Sequence, residues 1–540
     1  MGRVSPTVSA MSSLTEKPPT PGSSLHVESN PTVVDTSDKR LHELGYQSEF
    51  KREMSLFGVL GVSFCAIGIL TGMSSAFQAG LFSGGPLGLF WGWNICSVFM
   101  LLIALSLAEI CSAYPTMGGL YFLGWVYSIA MIFTGTSGNL SAALYLSSII
   151  ELYRSKPLTR VEIAAIAWAT NILSGIINTF GTKAIGRMSS FNMWWTLGGT
   201  LVLVVTLLVV TPVKNDAKFV FTNYQNFTGW SSRGFVVLLG FLQAVYTLEG
   251  CETAAQLAEE TTRAEILAPL AIVFSIVGSY VIGIAYLVTL LFTLQSPTSI
   301  QTTAFAIPIA QLYFDALKEN RRLVVMCLFV VGLSQFMAAI TAFTASSRLL
   351  YALARDNAAG RSGVKGSLLE LNRFQAPWVG VWASVLVGCI VSCAYIGSTI
   401  AFNAILSSAA ISVMLSYLQP IIIRVFWPSA LNEKGPFSLG AWSWTINVAC
   451  FMFTLFICVL FILPTAHPVT AQNMNYAIVA VGTLVMVVIC GWFIWGRGTF
   501  RGSIVSTSDG PGKPNERSPP GNEDPEATAE AEYVGECDGV

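Results

Sequence analysis

Twelve apolar stretches constrain this chain more than any other feature. They lie near 57–82, 86–110, 121–150, 161–181, 191–212, 234–258, 268–293, 322–345, 377–397, 400–424, 441–464 and 474–496. At about 1.5 Å per helical residue, each can cross roughly 30 Å of hydrocarbon. Charged residues make up only 11% of the 540-residue chain, against about a quarter in soluble domains. The expectation is an all-α polytopic membrane protein with twelve transmembrane helices embedded in a lipid bilayer.

Residues 1–50 are rich in Ser, Thr and Pro, and 503–540 are acidic with a similar bias. Such segments bury too little apolar surface to offset the entropy of ordering. The expected organisation is a disordered N-terminal tail (1–50), a twelve-helix domain (51–502) and a disordered acidic C-terminal tail (503–540), with no cleavable signal peptide. If both tails are cytosolic, segments on that side carry about 16 Lys and Arg against 9 outside, the bias expected of cytoplasmic loops. The same topology puts the sequon Asn226-Phe227-Thr228 outside, making Asn226 a candidate glycosylation site.

Other function classes find no support. The net charge is −1, and no basic surface for nucleic acid stands out. His26, His42 and His467 lack metal-ligand spacing. There is no H-E-x-x-H, phosphate-binding glycine loop or G-x-S-x-G. Nearly all cysteines lie in or beside apolar stretches, where cysteine behaves as a small buried hydrophobe. Neither an enzyme nor a metal or cofactor site is expected.

Two stretches are interrupted. The first reads GVLGVSFCAIGILTGMSSAFQAG, with Gly68 and Gly72 near its middle; each glycine weakens a helix by about 1 kcal/mol relative to alanine. The sixth contains Tyr246-Thr247-Leu248-Glu249-Gly250, although a carboxylate at the bilayer centre costs at least about 2.5–3.5 kcal/mol. Interrupted helices at matching positions in two halves point to a transporter binding site. Five-helix inverted repeats, spans 1–5 and 6–10, would bring the breaks face to face. Unwinding frees backbone groups that a cavity or ligand must satisfy. A half-helix N-terminus after Gly72 would offer N–H donors to a carboxylate, while carbonyls around Gly68–Leu70 and Thr247–Leu248 would face a cation. Glu249 is then tolerable if it meets water or a substrate ammonium. The alternatives are small-residue packing for span 1 and, for Glu249, a partner on a neighbouring helix or a protonated state.

Several stretches carry a family resemblance: LGYQSEFKREMSLFGVLGVSF (44–64), AEICSAYPTMGGLY (108–121), INTFGTKAIGRM (177–188), ETAAQLAEETTRAEILAPLAI (252–272), TASSRLLYALARDN (344–357) and PTAHPVTAQNMNYA (464–477). In this order, on twelve spans, the chain resembles the amino acid–polyamine–organocation (APC) superfamily, in the fungal amino acid/choline branch that includes choline and GABA permeases. The resemblance covers about Leu44 to Arg501. It implies secondary active transport of a small amine-bearing solute by alternating access; the leading reading is a plasma-membrane permease for amino acids, GABA or choline-like amines, with a proton as the expected coupling partner. It implies a substrate site at Gly68, Ile69, Leu70, Thr71 and Gly72 with Tyr246, Thr247, Leu248 and Glu249. Relatives often have a neutral residue at the place of Glu249, Asp at Glu252 and His at Gln256, so substrate identity stays open. The chain is also shorter than such relatives before span 3, though Tyr121 to Ile150 still reaches about 45 Å as a helix. An exchanger on an internal membrane, or for a biosynthetic intermediate, and a transporter-like nutrient receptor are the alternatives.

Glu259 and Glu260 follow the second break, and Arg52, Arg348 and Arg355 lie in inner segments. They form a candidate inner gate, with solvated helix ends as the alternative. Exposed pairs contribute about 0–1 kcal/mol each, which suits reversible opening. Glu109, at the end of span 2, reads as structural. Trp91, Trp93, Trp194, Trp195, Tyr246 and Phe336 could cage a cation, yet only Tyr246 adjoins a break. Some proton-driven relatives place a lysine in span 5; Phe191 to Thr211 has none. Glu249 is therefore the candidate proton acceptor, since burial disfavours a charged carboxylate.

Overall fold

The computed structural model describes residues 41–42, 50, 52–116, 121–154, 156–358, 362–431, 434–471 and 473–500. The expected tails fall almost wholly outside the described residues, as does most of the GGLY motif. Twelve helices are long and apolar enough to cross a membrane. Spans 1 to 6 are Leu56–Phe82, Gly85–Ala113, Tyr121–Glu151, Arg160–Asn178, Thr182–Val210 and Arg233–Glu260. Spans 7 to 12 are Ala264–Thr293, Arg321–Arg355, Trp378–Gly397, Ser407–Phe426, Gly440–Ile462 and Ala477–Thr499, the tenth belonging to a helix that begins at Thr399. Among the described residues there is no strand, only isolated bridges.

Five is odd, so a second group of five spans enters the membrane from the opposite side. The packing has that inverted symmetry. Span 1 packs on 6, 2 on 7, 3 on 8 and 4 on 9. Several further contacts also come in pairs: 2 touches 6 as 7 touches 1, 3 touches 10 as 8 touches 5, and 4 touches 8 as 9 touches 3. Spans 11 and 12 lie outside the repeat, the former against 2 and 10, the latter against 3 and 10. Spans 3 and 8 make the most extensive contact, at the centre.

Local signals set several boundaries. Span 4 opens on a capping box, in which the Thr159 side chain accepts from the Glu162 N–H and the Glu162 carboxylate accepts from that of Thr159. Span 3 is one continuous helix, Tyr121–Glu151, so the shortened segment before it still leaves a full crossing. Span 8 runs well past the expected end at 345, to Arg355, and every residue from Ala345 to Ala354 is buried. Protein rather than lipid covers that end, so its polar side chains do not stop the helix.

Peripheral spans turn large apolar groups outward, including Trp194, Leu201 and Val209 on span 5 and Leu386 and Ile390 on span 9. Contiguous exposure of this kind fits a lipid-facing surface. At the end of span 2, Glu109 accepts from Arg424 at 2.6 Å, from the Ser443 hydroxyl at 2.6 Å and from the Leu439 N–H at 3.1 Å. It fastens spans 2, 10 and 11 together, the structural role its position suggested.

Candidate functional site

Span 1 breaks at a single residue. Gly68 separates Leu56–Ile67 (1a) from Ile69–Phe82 (1b) and is left-handed, with φ 57° and ψ 53°. Thr71 holds this turn: its N–H and its Oγ1 both donate to the Gly68 carbonyl, at 3.1 and 2.8 Å. Span 6 breaks at Glu249 and Gly250, between Arg233–Leu248 (6a) and Cys251–Glu260 (6b). Glu249 is extended, with ψ 149°, and Gly250 has φ 112°. Here Thr253 donates its N–H and Oγ1 to the Gly250 carbonyl, at 3.2 and 2.7 Å. The same glycine-x-x-threonine turn therefore occurs once in each repeat, as Gly68-Ile69-Leu70-Thr71 and Gly250-Cys251-Glu252-Thr253. Comparing the two halves of the sequence would have exposed it.

The breaks touch. A Cβ on Gly250 would stand 2.9 Å from the Ala66 carbonyl carbon, and Ser63 Oγ donates to the Cys251 carbonyl at 2.9 Å. Beyond Gly250 the chain forms a ten-residue 3₁₀ helix, a length that is uncommon and often marks a hinge.

Two expectations are corrected by this geometry. The second half-helix of span 1 begins at Ile69, not after Gly72, whose N–H is already bonded to the Gly68 carbonyl at 2.6 Å. Tyr246, Thr247 and Leu248 remain helical, so the unwound part of span 6 is narrower than expected. In both places one left-handed glycine, backed by its threonine, reverses the backbone within a residue or two.

Between the breaks lies a cavity of about 70 Å³, several times the roughly 10–15 Å³ that one water requires. Span 1 lines it with Gly68, Thr71, Gly72 and Ser75, span 6 with Tyr246, Glu249, Gly250 and Thr253, and span 8 with Gln335, Ala338, Ala339 and Ala342. Steps of three, four and seven residues place the span 8 set on one helix face; Ala66 and Ile67 join the wall at the span 1 break, and the span 6 set straddles its own break. Ser137 and Gly138 of span 3 and Ala409 and Val413 of span 10 complete the wall. Of the residues expected here, Gly68, Thr71, Gly72, Tyr246 and Glu249 line the cavity. Ile69, Leu70 and Leu248 instead enter the apolar core, and Thr247 packs against Gly72. Consecutive helical residues cannot share one face, so a contiguous window includes neighbours that point away. Gln335, the sole amide within span 8, was the signal in sequence for a third contributing helix.

Among the described residues, no Lys, Arg or His lines the cavity. Glu249 is 9% exposed, and its Oε1 has no hydrogen-bond partner. Glu252, on the next turn, is differently placed: it accepts from the hydroxyls of Tyr127 and Tyr417, and Tyr417 in turn accepts the Gly250 N–H at 3.1 Å. No aromatic cage surrounds the cavity. Trp93 and Trp195 donate to the carbonyls of Tyr280 and Val330, at 3.4 and 3.0 Å. Trp91 and Trp194 are exposed, and Phe336 also lies outside the lining.

The end of the bundle expected to face inward is closed around 6b. Arg348 Nε meets Glu260 at 3.0 Å with both side chains at 0% exposure, and the Thr182 hydroxyl donates to the same carboxylate. Arg355 makes a two-pronged contact to Glu259, at 2.7 and 2.8 Å. Arg52 reaches the carbonyls of Ala258 and Thr261, at 3.1 and 2.7 Å. The burial corrects the energy expected for exposed pairs. Breaking a buried pair by removing one partner costs about 3–5 kcal/mol. Asn226 stands apart from both regions, in an exposed loop, with Nδ2 donating to the Trp230 carbonyl at 2.7 Å.

Comparison with known proteins points to amino-acid permeases. The family model described as amino acid permease matches residues 55–489. Amino-acid permease BAT1 of Arabidopsis thaliana is 31% identical over 509 residues, covering 87% of this chain and 97% of that protein. An uncharacterized amino-acid permease of Schizosaccharomyces pombe is 30% identical, with 89% of this chain and 92% of that protein covered. Amino-acid permease 2 of Neurospora crassa is 28% identical, with 90% and 93% covered.

Proposed function

Since the chain belongs to the amino acid permease family and is a multi-pass membrane protein that transports amino acids, we propose that its central cavity carries a small zwitterion by alternating access. The observation that bears most weight is Glu249: a carboxylate oxygen without a partner, facing a cavity that no basic side chain lines. A substrate ammonium supplies the missing charge. The N-terminus of 1b, with Gly68, Thr71 and Gly72 on the cavity wall, is suited to the substrate carboxylate through the positive end of its helix dipole. An amino acid or GABA has both groups. Choline has no carboxylate, and its quaternary ammonium would find only Tyr246 among the aromatics assigned to cation binding.

In this reading Gly68 and Gly250 are the pivots. Opening inward swings 1a and 6b apart from the other spans and separates Glu260 from Arg348 and Glu259 from Arg355. When no substrate is bound, a proton on Glu249 is the cheaper way to leave that carboxyl buried, which makes it the coupling group. The protein works at the plasma membrane with both tails cytosolic and Asn226 outside, where it is glycosylated. Uptake of a labelled panel of amino acids, GABA and choline in a permease-deficient host tests the reading. Saturable zwitterion uptake, not competed by choline, is the expected result; uptake of none would favour the nutrient-receptor alternative.

A further inference from the structure

The cavity-lining faces of spans 1 and 6 continue past the central cavity. Ser75 is followed by Gln78, Ala79 and Phe82, and Tyr246 is preceded by Gln243, Leu242 and Leu239, at the same three-, four- and seven-residue steps. These residues wall a second cavity of about 390 Å³, completed by Gln301 of the short helix Pro297–Gln301 and by Thr465. It lies on the same lane as the central site, at the end opposite the Glu259 and Glu260 pairs.

No charged side chain lines this second cavity. Its polar groups are chiefly amides, and two of them are unsatisfied. Gln243 is 4% exposed, yet its Oε1 has no partner, and neither does Nε2 of Gln301. The other amide donors of Gln243 and Gln78 are engaged: Gln243 Nε2 with Thr247 Oγ1 at 3.4 Å, and Gln78 Nε2 with the Ile300 carbonyl at 3.1 Å. Among the amides, one buried acceptor and one buried donor therefore lack a partner. A buried amide atom left unpaired is costly, and a ligand carrying both a donor and an acceptor satisfies the two together. An uncharged lining also disfavours a solute with net charge, because nothing offsets its desolvation.

We infer that this cavity is a separate waiting station for the transported solute, taking a net-neutral zwitterionic amino acid on its amides before the central site does. This rests on reading the central cavity as the substrate site. Thr465 is exposed at the cavity and accepts a reporter. In purified full-length protein carrying Thr465→Cys, the rate of thiol labelling at that position is read by peptide mass spectrometry, with and without L-glutamine. The measurement is made with Glu249 intact and again with Glu249→Gln. L-glutamine at twice its dissociation constant should slow labelling about threefold in both backgrounds, whereas L-lysine and L-glutamate should not. Gln243→Leu should remove the protection, and Gln301→Leu, on the short outer helix, does the same should the first variant fail to fold. Protection that disappears with Glu249→Gln overturns the station and leaves the central site standing. Labelling unaffected in either background by L-glutamine, L-alanine or GABA means a water-filled space and overturns it too. Protection that persists while Glu249→Gln leaves uptake unchanged keeps the station and removes the central assignment instead.

Discussion

Glu249→Gln removes a charge at nearly constant shape, so it isolates what the carboxylate contributes. If the substrate ammonium pairs with it, affinity should fall by about 2–5 kcal/mol, the cost of truncating a buried charge pair, and the pH dependence of uptake should flatten. Direct binding and uptake across a pH series would show it; unchanged affinity and pH profile would reduce Glu249 to a packing residue. Gly250→Ala is a second test at this scale. With φ 112° and the Ala66 backbone 2.9 Å from the new Cβ, alanine should cost about 1–3 kcal/mol and abolish transport. Gly198→Ala, in span 5 with nothing within 4 Å, is the matched control and should leave melting temperature and uptake intact or slightly raised. Single residues of this kind were partly legible in advance: a glutamate and glycines inside apolar runs conflict with their surroundings. Which neighbours joined them was not, because the consecutive window took in Ile69, Leu70, Thr247 and Leu248, whereas helix geometry selects every third or fourth residue.

In the proposed cycle the half-helices 1a and 6b act as units, and the ion pairs around 6b set when they move. Arg348→Ala strands Glu260 at 0% exposure and should destabilise the folded protein by about 3–5 kcal/mol, read as a lower melting temperature in detergent. Glu260→Gln keeps hydrogen-bonding capacity and loses only the charge. It should change turnover more than affinity, checked by comparing the maximal rate and KM of uptake. An equal change in both would argue against a gate. At this scale the sequence supplied the participants but not their environment. Acidic residues after one break and arginines in distant segments can be read off the chain, while the burial that turns a weak surface pair into a costly interior one arises only when span 8 continues inward beneath protein.

Orientation belongs to the whole molecule. Single-cysteine labelling with a membrane-impermeant reagent should reach Asn226→Cys in intact cells, and a tag on the N-terminal tail should be protected until permeabilisation. The reverse pattern would invert the assigned topology. Twelve crossings, the class of fold and the two interrupted helices followed from the sequence alone, because hydrocarbon forces length, apolarity and backbone satisfaction onto each span independently. Such one-dimensional constraints need no knowledge of neighbours. The cavity, the gate and the outer amide pocket are of another kind. They arise where elements distant in sequence converge (spans 1, 3, 6, 8 and 10 at the central cavity), and contacts such as Gly250 on Ala66 or Glu260 on Arg348 join residues far apart in the chain. Only tertiary structure could decide those, since which face of each helix turns inward is set by packing against the others rather than by the helix itself.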